Sequence, residues 1–179
     1  MHVANTHVLL LQNNNTLIID HACVLPAGGA DHTVQLFDAG RGVVAASLTG
    51  HSKKVTSLAF ASRTALLSAS ADKTVKLWAA DGAAAWSLAA PALGTAAAAV
   101  ARVCVHPVTS LAVAVDAAAA WQLLDVPVAR PVAAGSAAAA GAFLSAAVHP
   151  DGHFFAAGGR DGGVQVCARL CVSHEIACF

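Results

Sequence analysis

The sequence predicts an all-β fold, a β-propeller incomplete at about three to four blades, and three observations carry that expectation. A segment recurs: Gly29-Ala30-Asp31-His32-Thr33-Val34-Gln35-Leu36-Phe37 returns as Ser70-Ala71-Asp72-Lys73-Thr74-Val75-Lys76-Leu77-Trp78, and more faintly as Gly159-Arg160-Asp161-Gly162-Gly163-Val164-Gln165-Val166-Cys167. Asp31 and Asp72 are 41 positions apart, inside the ~40–45-residue period of propeller blades and too long for ankyrin or leucine-rich repeats. Each copy also sets a small-residue turn with an aspartate ahead of an alternating run, and period-two alternation marks a half-buried strand.

Taken in order, residues 1–22 diverge from the repeat; only Val8 to Leu11 forms an apolar stretch before Asn15, enough for an edge strand. The repeat region is expected over 23–167 and a divergent tail over 168–179. Its second unit is the most complete: Gly50-His51, a strand from Lys53 to Phe60, a polar turn, a strand from Ala65 to Ser70, Asp72, and a strand ending at Trp78. The third and fourth units overlay through His106-Pro107 and His149-Pro150, offset by 43 residues like Trp121 and Val164. In that register Asp161 takes the turn position of unit four, whereas unit three has Ala118 there, with Asp116 two residues early and Ala89-Ala90 where Gly-His is expected.

The second unit is similar to the WD-repeat pattern over its whole length. The resemblance implies a structural hydrogen-bond network of His51, a strand hydroxyl (Ser70 or Ser68, with Ser70 assigned), Asp72 and Trp78, satisfying groups whose unpaired burial costs ~1–3 kcal/mol each. A His, a Ser and an Asp also raise the question of a hydrolytic triad. A nucleophilic serine needs an exposed turn, a base and an oxyanion hole, and neither Ser68 nor Ser70, in a strand beside a tryptophan, offers them.

The stretch Leu48-Thr49-Gly50-His51-Ser52-Lys53-Lys54-Val55-Thr56-Ser57, then Ser68-Ala69-Ser70-Ala71-Asp72, Trp121-Gln122-Leu123-Leu124-Asp125-Val126 and His149-Pro150-Asp151-Gly152, resembles the pre-mRNA-processing factor 19 family. Membership implies a splicing-associated ubiquitin ligase in which a U-box recruits a charged partner enzyme, a coiled coil makes an oligomer, and a propeller binds substrates and spliceosomal partners in the nucleus. This chain shows no U-box and no heptad run. It is therefore expected to carry part of the binding module, no catalytic residues, no cofactor and no oligomerisation region. Another WD-repeat scaffold is the alternative.

Composition adds to the expectation of a truncated or divergent copy that is poorly stable alone. Hydrophobic residues reach 57%, charged residues 11%, and tyrosine is absent; the excess is largely alanine. The runs Ala83 to Ala85, Ala96 to Ala99, Ala117 to Ala120 and Ala137 to Ala140 disfavour strand and are expected as loop expansions. No charge occurs between Asp81 and Arg102, but Pro91, Gly94 and Thr95 interrupt the segment, so a membrane span is not expected. Nor does the start show the basic region of a signal peptide.

Net charge is zero, which gives no global reason to expect direct nucleic-acid binding. All four lysines, Lys53, Lys54, Lys73 and Lys76, nonetheless fall in unit two with Arg63, a candidate partner-binding sector against the ordinary role of lysine in protecting strand edges. Cys23 and Cys104 read as small core residues. Cys167, Cys171, His174 and Cys178 have donor types suited to zinc, a less favoured alternative function because Cys167 already belongs to the unit-four strand; no metal site is assigned, and disulfides are not expected.

Overall fold

Short runs of alternating and β-branched residues separated by tight turns favour consecutive antiparallel hairpins, and the described residues fold that way. A computed structural model describes residues 17–18, 24–38, 42–62, 65–79, 84–89, 98–106, 108–109, 111–128, 130–136, 141–168 and 177–178. Among them there is no helix. Sixteen strands form four antiparallel sheets of four strands each.

The first sheet is β1 (Leu17–Ile18), β2 (Val24–Gly28), β3 (Val34–Asp38) and β4 (Val43–Leu48); the second is β5 (Val55–Ser62), β6 (Ala65–Ser70), β7 (Thr74–Ala79) and β8 (Ala84–Ala89). The third holds β9 (Val100–Val105), β10 (Leu111–Asp116), β11 (Ala120–Asp125) and β12 (Arg130–Ser136), and the fourth β13 (Phe143–Val148), β14 (Phe154–Gly159), β15 (Val164–Ala168) and β16 (Ala177–Cys178). Strand order follows chain order in each sheet. This is the all-β, blade-by-blade architecture of an incomplete propeller.

The hairpin joining the second and third strands repeats in backbone detail. The residue after the aspartate, or after its equivalent, is left-handed in every sheet: His32 (φ 70°), Lys73 (φ 76°), Ala119 (φ 59°) and Gly162 (φ 84°). A single left-handed residue closes such a loop with the twist the flanking strands require. Ala117 to Ala119 therefore form a tight turn and Ala120 opens β11, while Ala84 and Ala85 belong to β8. These alanines are not loop expansions as composition predicts. Pairing with the neighbouring strand overrides their weak strand preference, and Ala119 and Ala120 are buried.

Each sheet turns one face forward onto the next. Val34, Leu36 and Leu48 of the first pack on Leu58, Leu66 and Trp78 of the second. Leu67, Val75 and Leu77 of the second meet Val103, Ala114 and Leu124 of the third, whose Val113, Trp121 and Leu123 meet Phe143, Phe155 and Cys167 of the fourth. Hydrogen bonds also cross the joints: Val55 N donates to Gly29 O at 3.3 Å, Thr56 Oγ1 to Val100 O at 2.6 Å, and Cys104 Sγ to Ala146 O at 2.8 Å. Burial pushes the Cys104 thiol pKa up despite the opposing pull of Arg102.

The turns that carry the paired His-Pro elements connect sheets three and four. His106 Nδ1 accepts from Thr109 N at 3.0 Å, so the proton sits on Nε2, which donates to Pro150 O at 3.1 Å. Gly152 (φ 72°) lies against the same ring; a Cβ there would come within 2.9 Å of His106 Nε2. Among the described residues, no extensive strand-to-strand contact joins the fourth sheet to the first.

Candidate functional site

Gly50 and His51 lie just ahead of β5, and Asp72 lies in the β6–β7 hairpin at the same end of sheet two. His51 Nδ1 is 2.8 Å from Asp72 Oδ2, His51 Nε2 is 2.6 Å from Ser68 Oγ, and Trp78 Nε1 donates to Ser68 Oγ at 2.8 Å. The hydroxyl in the series is thus Ser68 and not Ser70. Two residues apart on one strand, both point to the same face, but Ser68 lies diagonally across from Trp78 whereas Ser70 ends the strand beside the preceding turn.

Proton positions follow from the partners. An ionised Asp72 only accepts, so the proton is on His51 Nδ1; Nε2 then accepts from the Ser68 hydroxyl, whose oxygen accepts from Trp78. Burial holds the His51 imidazole below its ordinary value, outweighing the opposing bond to Asp72. Burial alone would raise the Asp72 carboxyl, but bonds from the Thr74 hydroxyl at 2.6 Å, Ser52 N at 2.9 Å and His51 hold it well below the usual carboxylate range. Ser68 is fully buried and already receives the Trp78 N–H, so no substrate reaches it. A hydrolytic triad is excluded on that geometry.

Ser70 has a separate task. Its Oγ donates to Lys53 O and Lys54 O, at 3.0 and 2.9 Å, and accepts from Asp72 N at 3.1 Å. Shared between the two carbonyls, that proton ties the turn that leads into β5 to the hairpin that displays Lys73. Lys53, Lys54 and Lys73 consequently stand exposed at one end of the sheet. Lys76 is half-buried on β7 with its ammonium close to Gly50, 3.7 Å from where a Cβ would stand. Arg63 lies outside the described residues.

Thr74 and Ser52 escaped the sequence reading. The signal was available, since Asp31-His32-Thr33 and Asp72-Lys73-Thr74 share Asp-x-Thr and share its bonds, Thr33 Oγ1 donating to Asp31 Oδ2 at 2.9 Å. Sheet four keeps part of the pattern: Asp161 accepts from Gly163 N at 3.1 Å and Gly141 N at 3.3 Å. Those two bonds hold its carboxyl below the ordinary value. In sheet three Asp116 stands where Ser70 stands in sheet two and accepts from Ala118 N and Ala120 N.

A family model, WD domain, G-beta repeat, matches residues 42–79 and 138–167, which bracket the His51 network and the Asp161 turn. The chain carries WD repeats. Relatives include pre-mRNA-processing factor 19 homolog 2 of Arabidopsis thaliana, 35% identical over 145 residues, and pre-mRNA-processing factor 19 of Oryza sativa subsp. japonica, 32% identical, each covering 80% of this chain. Pre-mRNA-processing factor 19 of Bos taurus is 29% identical over 78% of it. The chain spans 27% of the length of these curated relatives. It is a WD-repeat region similar to theirs.

For the Cys/His tail, Cys171 and His174 lie outside the described residues. Cys167, contrary to the sequence expectation, is disulfide-bonded, and in the ladder it stands opposite Cys178. The expectation rested on an intracellular compartment, not on the strands. A disulfide sulfur is not the thiolate a zinc ion requires, so Cys167 does not fit the metal-binding alternative.

Proposed function

We propose that this WD-repeat region acts as a protein-interaction scaffold in pre-mRNA splicing in the nucleus, supplying partner or substrate selection to a ubiquitin ligase of the pre-mRNA-processing factor 19 kind. The supporting observation is the likeness to those relatives over four-fifths of the chain, on a frame of repeated sheets that holds no reaction chemistry in its best-formed network. That network holds the hairpin in place. Beside it, Ser70 fixes the Lys53-Lys54 segment against the Lys73 hairpin, so that three cations stand at one end of sheet two, a surface suited to an acidic protein partner.

The test is co-purification of spliceosomal proteins with the tagged chain from nuclear extract, compared with K53E/K54E. The reading predicts enrichment by the native chain and a loss of about tenfold or more in the reversed variant, steepening at low salt where exposed charges are least screened. Equal recovery by both would remove the lysine surface, and absence of spliceosomal proteins from both would remove the splicing role. Ubiquitin transfer by this chain alone would overturn the binding-only assignment.

A further inference from the structure

The joint between sheets two and three buries polar atoms in otherwise apolar surroundings. Asp116 and Gln122 are each 1% exposed, and Asp116 Oδ2, Gln122 Oε1 and Gln122 Nε2 have no hydrogen-bond partner. They share a face. Gln122 stands directly opposite Ala114 in the β10–β11 pair, and Asp116 lies two residues beyond Ala114 on β10, so all three leave the sheet on the side where Ala114 and Leu124 pack on sheet two. Unpaired, such groups cost ~1–3 kcal/mol each, and more where one is charged.

The equivalent place in sheet two is satisfied by a hydroxyl. Ser70 Oγ accepts from Asp72 N and donates to Lys53 O and Lys54 O. Asp116 holds that register in sheet three: its Oδ1 accepts from Ala118 N at 2.8 Å, as Ser70 does from Asp72 N, and Ala117 N donates to Ala99 O at 3.0 Å where Ala71 N donates to Lys54 O at 2.9 Å. The carbonyls that match those of Lys53 and Lys54 are therefore Ala98 O and Ala99 O. An ionised carboxylate has no proton to give them. The register thus brings a carboxylate oxygen, an amide oxygen and two backbone carbonyls to one buried corner, a set of acceptors facing acceptors.

We propose that this corner binds one alkali metal cation, sodium or potassium, through Asp116 Oδ2, Gln122 Oε1, Ala98 O and Ala99 O, with a water on the same ion accepting from Gln122 Nε2. Oxygen donors suit hard cations, and a single carboxylate balances a single positive charge, so that no net charge is buried. The ion ties the entry to β9, the end of β10 and the middle of β11 together. Ser70 does the corresponding work in sheet two.

Thermal melts of the intact chain in sodium, potassium and choline chloride at equal ionic strength test this, alongside D116S, which copies sheet two, and D116N, which keeps the side chain's size. The native chain is expected to melt roughly 3–6 °C higher in an alkali salt than in choline once that cation stands about tenfold above its dissociation constant. Both variants are expected to melt at one temperature in all three salts, with an unchanged far-ultraviolet circular dichroism spectrum. A native chain that melts at one temperature in all three salts overturns the proposal and gives the corner to a water or a neutral carboxyl. So does a cation dependence that persists undiminished in D116S and D116N.

Discussion

Lys73 and Gly162 hold the same left-handed backbone, φ 76° and 84°, each one residue after the aspartate of its hairpin. Only glycine adopts that conformation without a steric penalty from Cβ. The exposed Lys73 therefore carries local strain that its repeat partner lacks. K73G should stabilise the chain by roughly 0.5–1 kcal/mol once glycine's greater freedom in the unfolded chain is subtracted. At Gly162 a Cβ would meet nothing within 4 Å, so G162A isolates the conformational cost and should destabilise by about 1 kcal/mol. Urea denaturation midpoints measure both, and the two shifts should have opposite signs.

Ser68 and Ser70 separate by their partners. S68A leaves the Trp78 N–H and His51 Nε2 buried without partners, an expected loss of about 2–4 kcal/mol. S70A removes a bond shared between Lys53 O and Lys54 O and one accepted from Asp72 N, strands no side chain, and should cost less, about 1–2 kcal/mol. Thermal melts of the two single variants, with far-ultraviolet circular dichroism to check folding, give the order directly; equal losses would contradict the series through Ser68.

Stability should fall as the solution is acidified, in two stages. His51 titrates below its ordinary 6.5 when folded, so between that folded value and 6.5 the unfolded chain binds a proton the folded chain does not. Its contribution is complete above 6.5 and is lost on the way down. Asp72 is held below its ordinary 3.8, so its contribution persists above that value and is lost as pH drops further toward the folded one. Unfolding free energies taken at about pH 7.5 and about pH 5.5 should differ in the native chain and differ less in H51Q, because 6.5 lies between them. A native chain more stable at the lower pH would reverse the sign and refute the burial argument.

Gly135 faces Trp121 across the β11–β12 pair, and a Cβ at 135 would lie 2.5 Å from the indole ring. The ring is pinned by an edge contact to Phe155, centroids 5.3 Å apart. G135A should therefore cost about 1–3 kcal/mol through overpacking. Trp121 fluorescence during equilibrium unfolding would report the lowered midpoint.

Much of this fold was legible in the chain because its repeat is marked by residues with hard local requirements. An aspartate ahead of a left-handed turn residue, followed by alternation, sets strand, turn and register together, and His106 with His149 aligned the last two sheets. The alanine turn at Ala117 to Ala119 was legible only through the repeat register that put Ala118 at the turn position, since its shape comes from the strands on either side and not from alanine. The choice between Ser68 and Ser70 was equally hidden: periodicity places both on one face and only distances to Trp78 and His51 separate them. The Cys167 disulfide ran against an expectation drawn from compartment, which residue spacing does not encode.

The contact between His106 and Gly152 links two turns that are far apart in the chain. With φ at 72° and the imidazole nitrogen 2.9 Å from any added methyl, position 152 admits a side chain only if the ring at 106 withdraws. Withdrawal also abandons the Pro150 carbonyl. The two sites should consequently drift as a pair across natural variants, a larger residue at 152 accompanying a shorter one at 106, so that an inherited change in one turn restricts which changes the other tolerates.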